Sequence, residues 1–289
     1  MILQKISKKL KEQLKLARVV RCSGISISNT EPLVLISGPC VIENKSHTLK
    51  IAKKLKEITK RLKIPLIFKA SYDKANRSSI YSYRGPGLDK GLDILQSVKE
   101  KLNIPVLSDV HNTNEVEPAS GVLDIIQIPA LLCRQTDLIV EVAKTKKPIN
   151  VKKGQFMSPW EMKNIIEKIK KQGNEKILLT ERGTTFGYNN LVVDMRSIYE
   201  MKKFSYPVIF DATHSVQLPG ALGKISGGNK EHILPLAKAA TAIGIAALYI
   251  EVHDNPKKAL CDGIIATNLK DLPNILMEIK AIDNLLKSN

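Results

Sequence analysis

The chain has 289 residues, of which 43% are hydrophobic, and a formal net charge of +17. That is enough chain for one large core, since α/β barrels run to about 250 residues as a single domain. No apolar run attains the roughly 18 residues of a membrane helix. The longest, 237–250, is broken by Thr241 and Gly244 and reads as a buried helix followed by a strand.

The basic excess admits nucleic acid or an anionic membrane as a partner. Its cations are scattered, however, and lysine outnumbers arginine. No Arg/Lys block is interleaved with aromatics, as nucleic-acid binding would ask. A few lysines lining a phosphate site fit better, so no nucleic acid and no membrane is expected as a partner.

Residues 1–20, MILQKISKKLKEQLKLARVV, have apolar positions near helical spacing and lack the roughly 7–15-residue apolar core of a secretory signal. They read as a surface helix, an organelle transit segment being the alternative but one that asks for more Ser and Arg, and 19–29 reads as a hairpin closing the bottom of the fold. Residues 1–30 are thus expected to be an N-terminal extension, and 31–289 a single catalytic domain.

Eight β-rich runs follow: PLVLIS (32–37), PLIFKAS (65–71), PVLSDV (105–110), LDIIQI (123–128), PINVKK (148–153), KILLTER (176–182), PVIFDATH (207–214) and ALYIEVH (247–253). Most are continuously apolar, as parallel strands buried on both faces are. Helical periods lie between them. Residues 47–62 carry apolar side chains on one face. Residues 158–172 open on Ser158 as N-cap and Pro159, and Gly173 stops them. The weakest helix is 113–121, interrupted by Pro118, and the last lies near 270–287. This alternation predicts a closed (β/α)8 barrel. A doubly wound open sheet is the alternative, but no Gly-x-Gly-x-x-Gly follows the first strand.

Active sites of such barrels lie at the C-terminal strand ends. Here those ends carry Cys40; Lys69 and Ser71; Asp109 and His111; Gln127; Lys152 and Lys153; Glu181 and Arg182; Asp211 and His214; Glu251 and His253. Strand ends meet water, so polar residues are expected there. Exposure alone would equally allow Ser, Asn or Gly. Lys69, Lys152 and Arg182 are expected to face the barrel axis, where three cations repel unless an anion joins them. Arg binds phosphate through a fork and Lys as a point charge. The direct inference is an anionic, phosphate-bearing substrate. The loop after the second strand, 71–88, adds Lys74, Asn76, Arg77, Ser78, Ser79 and Arg84, which suit a sugar phosphate or simply a polar exposed loop.

Cys40, His214 and Glu251 offer sulfur, nitrogen and oxygen donors from strands 1, 7 and 8, which adjoin in a closed barrel. Asp262 can supply a fourth. Such a set suits Zn, Fe(II) or Mn. Taken singly, Cys40 is equally a small core residue and His214 a hydrogen-bonded one. The four cysteines, Cys22, Cys40, Cys133 and Cys261, do not imply a disulfide framework in a chain without an export signal. A reducing cytoplasm is expected.

At these residues the sequence resembles a known family. FKASYDKANRSS (68–79), SYRGPGL (82–88), IQIPALLCRQTDL (126–138), INVKKGQF (149–156), FGYNNLVVDMRS (186–197) and FDATHSVQLPG (210–220) are similar to 3-deoxy-D-manno-octulosonate 8-phosphate synthases. The likeness runs from about residue 32 to the last helix. KANRSS separates that family from the related 3-deoxy-arabino-heptulosonate 7-phosphate synthases, which carry a Lys-Pro-Arg-Thr type segment in this loop. The resemblance implies a TIM barrel, a homotetramer and a cytoplasmic role in lipopolysaccharide biosynthesis. The implied reaction joins phosphoenolpyruvate to D-arabinose 5-phosphate and releases phosphate. It implies Lys69, Ser71, Lys74, Gln127, Lys152, Arg182 and His214 at phosphoenolpyruvate. Asn76, Arg77, Ser78 and Asp109 fall at arabinose 5-phosphate. Lys74, His214 and Asp262 fall in catalytic roles, and Arg134 in a motif that reaches a neighbouring subunit. GPCVIEN (38–44) resembles the metal-dependent branch, with Cys40, His214, Glu251 and Asp262 as metal ligands. The metal-independent branch has Asn at Cys40. Two departures stand out: ALCDG (259–263) resembles the metal-independent branch, and Asn44 replaces the usual Ser.

Overall fold

The computed structural model describes residues 17–221 and 227–287. The expected helix over 1–20 falls almost wholly outside them. The eight strands are β1 (Val34–Gly38), β2 (Leu66–Lys69), β3 (Val106–Asp109), β4 (Ile125–Ile128), β5 (Ile149–Lys152), β6 (Ile177–Glu181), β7 (Val208–Asp211) and β8 (Ala247–His253). Every neighbouring pair is parallel, and β7–β8 and β8–β1 close the ring. The fold is an α/β (β/α)8 barrel, and the open sheet is set aside. One helix follows each strand: α1 (Lys45–Leu62), α2 (Leu88–Leu102), α3 (Val116–Val122), α4 (Thr136–Lys144), α5 (Met162–Lys171), α6 (Met195–Lys202), α7 (Ile233–Ile243) and α8 (Leu272–Lys287). Among the described residues no helix is long and apolar enough to cross a membrane.

The continuous apolar runs have a two-sided cause. Leu35, Phe68, Val106, Ile126 and Val151 pack outward into the helices. Val34, Ile36, Ile67, Leu107, Ile125, Leu178 and Ile209 pack inward around the axis. Cα–Cβ bonds alternate faces along a strand, so each strand needs apolar residues at both parities. The hairpin Val20–Cys22 / Ile25–Ile27 packs Val20, Cys22 and Ile27 into the inward cluster. Ser23 Oγ donates to Asp124 Oδ1, just before β4, at 3.0 Å, so the hairpin covers the N-terminal end.

Local differences have plain reasons. Helix α1 starts two residues before the expected 47, because the Asn44 side chain accepts the His47 N–H at 2.9 Å. Ser158 and Glu161 form a capping box around the 3-10 turn Pro159–Glu161, from which α5 continues, and Gly173 ends it at φ +66°. The expected strand 207–214 stops at Asp211, whose Oδ1 accepts the Thr213 and His214 N–H groups and turns the chain. At Gly38, a Cβ would stand 1.9 Å from the Lys69 carbonyl oxygen. Only glycine lets β1 approach β2 that closely.

Candidate active site

Two adjoining chambers occupy the C-terminal mouth. The inner one, about 190 Å³, is lined by Lys69, Asp109, Gln127 and Lys152 among others. The outer one, about 800 Å³, is lined by Asn76, Arg77, Ser78, Cys261 and Asp262 among others. Lys74, Arg182 and His214 line both. The three cations expected to converge therefore share one cavity.

Strand parity aims the inner wall. Lys69, Asp109, Gln127, Lys152, Arg182, Asp211 and Glu251 continue the inward-facing positions of their strands, and all are buried. A chain of hydrogen bonds crosses four strands to hold them. Thr180 Oγ1 donates to Asn150 Oδ1 at 2.6 Å, and Asn150 Nδ2 to Gln127 Oε1 at 2.8 Å. Gln127 Nε2 donates to Asp109 Oδ1, and Ser71 Oγ to Asp109 Oδ2 at 2.5 Å. The Gln127 amide is thereby fixed in one orientation.

The carboxylates have partners. Asp211 takes Lys152 Nζ at 2.6 Å and His214 Nδ1 at 2.8 Å. Glu251 takes Lys69 Nζ at 3.2 Å and the Tyr249 hydroxyl at 3.0 Å. The Lys152 ammonium also lies 4.0 Å above the Tyr249 ring. Arg182 differs. Its Nη2 donates to Gln217 Oε1 at 3.1 Å, while Nη1 is buried with no hydrogen-bond partner among the described residues. Among the described residues, neither Arg182 nor Lys74 has a carboxylate within ion-pair distance; Lys74 Nζ reaches only Ser71 Oγ, at 3.4 Å. A buried donor without an acceptor is costly, so a guanidinium kept this way is poised for an anion.

Titration follows the same layout. Burial opposes ionisation of Asp109, but Lys69, Lys74 and Lys152 hold its carboxyl well below the usual range. Burial also opposes Asp211, and His214 with Lys152 overcomes it. Burial pushes Lys152 down despite Asp211, with Lys69 adding to the fall, and lowers Arg182 as well. At half-buried Lys74 desolvation acts downward, but Cys40, Cys261, Glu251 and Asp109 prevail and raise it. Lys74 is therefore an ammonium ion, able to give a proton or offset negative charge.

The expected metal ligands come together as two overlapping groups. Cys40, Cys261 and Asp262 form one, and His214, Glu251 and Asp262 the other; within each the ligand atoms lie within 4.8 Å. Asp211 fixes His214 Nδ1, leaving Nε2 at 3.6 Å from Glu251 Oε1 and 3.9 Å from Asp262 Oδ2. Glu251 Oε2 is buried without a partner among the described residues. A sulfur, nitrogen and oxygen set with an orphaned carboxylate oxygen fits a borderline divalent ion.

Of the other strand-end residues, His111 also lines the inner chamber, and the rest stand aside. Lys153 turns outward to Thr184 Oγ1 at 2.9 Å and the Met157 carbonyl at 3.2 Å. Glu181 also turns outward, bonding the Ser197 hydroxyl and the Gly183 N–H. His111 bonds Glu115 at 3.1 Å, and His253 bonds Glu43 at 3.1 Å. Arg134 is exposed. The structure adds Asp211 as the anchor of Lys152 and His214, and Gln217 as the bridge from Arg182 to Asp262 at 3.3 Å. It also adds Cys261, whose Sγ is 3.0 Å from Cys40 Sγ and 2.9 Å from Arg77 Nη1. Inward parity marks Asp211 in the sequence; nothing in the sequence alone marks Gln217.

A closed parallel barrel whose C-terminal mouth gathers buried cations around two adjoining chambers defines a (β/α)8 enzyme that handles phosphorylated anions. The chain belongs to the DAHP synthetase I family, whose model matches residues 6–288. A Geobacter sulfurreducens protein named 2-dehydro-3-deoxyphosphooctonate aldolase is 56% identical over 272 residues, 94% of this chain and 100% of its own length. A Pelobacter propionicus protein of the same name is 56% identical over the same shares. One from Trichlorobacter lovleyi is 57% identical over 255 residues, 88% of this chain and 94% of its own.

Proposed function

We propose that the protein condenses phosphoenolpyruvate with D-arabinose 5-phosphate and water, giving 3-deoxy-D-manno-octulosonate 8-phosphate and inorganic phosphate. Its curated relatives carry the synonymous aldolase name. One observation carries the reading: Lys74 and Arg182, cations without carboxylate partners among the described residues, stand where an inner and an outer chamber meet. Two anions that repel each other need that arrangement to come within reacting distance.

Lys69, Ser71, Lys74, Gln127, Lys152, Arg182 and His214 hold phosphoenolpyruvate in the inner chamber. Asn76, Arg77, Ser78 and Asp109 hold arabinose 5-phosphate, with Arg77 and Ser78 at its phosphate. Carbon 3 of phosphoenolpyruvate attacks the aldehyde, and Lys74 delivers a proton to the aldehyde oxygen. Water captures the cation developing at carbon 2 and loses a proton, which makes good the one Lys74 gave. The resulting tetrahedral intermediate collapses, the carbon–oxygen bond to phosphate breaks, and phosphate leaves. Cys40, His214, Glu251 and Asp262 would hold a divalent metal, Zn, Fe(II) or Mn, which when bound polarises the aldehyde as a Lewis acid. Asp211 keeps the His214 ring oriented, and Gln217 ties Arg182 to Asp262. Fixed charges in a water-poor chamber supply most of the acceleration.

The same reading puts the protein in lipopolysaccharide biosynthesis in the cytoplasm, as a homotetramer in which Arg134 approaches a neighbour's site. Exposed Phe156, Trp160, Phe186 and Tyr188, on the loops after β5 and β6, support self-association. Phosphate release tests the function. It should require both phosphoenolpyruvate and arabinose 5-phosphate; turnover with erythrose 4-phosphate instead would assign the chain to the heptulosonate reaction.

A further inference from the structure

Glu43, His47 and His253 have the residue types of a metal site, but their hydrogen bonds give them another role. The Asn255 N–H donates to His253 Nδ1 at 2.9 Å. The neutral ring then carries its proton on Nε2, which donates to Glu43 Oε1 at 3.1 Å. A metal at Nε2 would have to displace that proton. The same Glu43 oxygen accepts the Leu260 N–H at 3.1 Å.

Leu260 directly precedes Cys261 and Asp262. Asp262 sits at φ +51°, in the left-handed region. A non-glycine residue stays there only where its surroundings dictate it. On its far side the turn is held by Asp262's own carbonyl, which accepts the Ile265 and Ala266 N–H groups at 3.1 and 2.9 Å. Gly263 packs so closely that a Cβ would stand 2.3 Å from the Pro256 carbonyl oxygen. On its near side Glu43 is the anchor. Glu43 is itself fixed, one residue before the Asn44 cap of α1, and His47 on that helix is held by Asp254 at 3.0 Å. Glu43 lines neither chamber.

We propose that Glu43 is a positioning residue: its carboxylate, with His253, clamps the turn that presents Asp262 to the outer chamber. The inference rests on the reading of Asp262 as part of the condensing site. Partners of this kind, one step behind the reacting groups, typically account for about 10–100-fold in activity or metal affinity.

The test compares Glu43→Met, which fills the space and removes the acceptor, with Glu43→Gln, which keeps an oxygen for both donors. In the full-length protein the Met variant should exchange the Leu260 amide hydrogen about tenfold or more faster, as loss of one hydrogen bond to a charged acceptor implies. Its kcat should fall about 10–100-fold, with the KM for phosphoenolpyruvate unchanged. The Gln variant should restore both amide protection and kcat. Unchanged Leu260 exchange and kcat in the Met variant would overturn the clamp, as would a Gln variant as damaged as the Met one, or a phosphoenolpyruvate KM that moves in step with kcat. Were the Met variant not to fold, Leu260→Pro deletes the donor and carries the same kcat expectation; Ala259, at φ −62° and ψ 134°, tolerates a following proline. If the wild type condenses nothing, the functional reading fails, while amide exchange at Leu260 still decides the clamp.

Discussion

Replacing Arg182 by methionine should cripple phosphoenolpyruvate binding and leave the fold intact. Arg182 is 5% exposed, its guanidinium has one hydrogen bond to Gln217, and among the described residues Nη1 has no partner. Its desolvation is therefore poorly compensated in the free protein, and an apolar side chain of similar length removes that cost. A hydrogen bond to a charged group contributes about 1.5–3 kcal/mol. At about 1.4 kcal/mol per tenfold, one such bond to the phosphate corresponds to roughly a 10- to 150-fold rise in the KM for phosphoenolpyruvate. The Tm should hold or rise. The assay is steady-state phosphate release at saturating arabinose 5-phosphate, alongside a thermal melt. An unchanged KM would refute the anion-site reasoning. So would a Tm fall of several degrees, which would make Arg182 a structural residue.

Three other perturbations probe separate parts of the site. Lys153→Met strips Glu181 of its cation at 3.6 Å; breaking such a buried pair costs about 3–5 kcal/mol, a Tm fall on the order of 10 °C, with the KM of folded protein unchanged. Burial lowers the Lys152 pKa in the free protein, and a bound anion raises it again. Phosphoenolpyruvate binding should thus take up a proton at alkaline pH, and affinity should weaken as pH rises between the two values; calorimetry in buffers of different ionisation heat reads the uptake, and its absence would count against Lys152 as a ligand. Chelation should abolish activity, and Cys40→Asn should lower bound metal measured by elemental analysis. Full activity in protein shown to be metal-free would contradict the ligand set.

Much of the site was legible because strand geometry does the aiming. Parallel strands need apolar residues at both parities, so the runs stood out, and their ends marked one mouth. Parity also separates neighbours that composition treats alike. Lys152 continues the inward line of Asn150, whereas Lys153 falls on the helix side with Val151. Arg182 follows Thr180 inward, and Glu181 does not. The bridge through Gln217 was out of reach, since a loop residue's direction depends on contacts across 45 positions, to Asp262. The β7 boundary was overshot because Asp211 spends its carboxylate on the Thr213 and His214 amides, a turn that apolar patterning does not register.

The most direct measurement is a crystal structure of the protein with phosphoenolpyruvate. The account predicts the ligand in the inner chamber, its phosphate or carboxylate on Arg182 Nη1 and Lys152 Nζ, and the space before Arg77 left open for the sugar. Phosphoenolpyruvate bound elsewhere, with Arg182 still unpartnered, would contradict it.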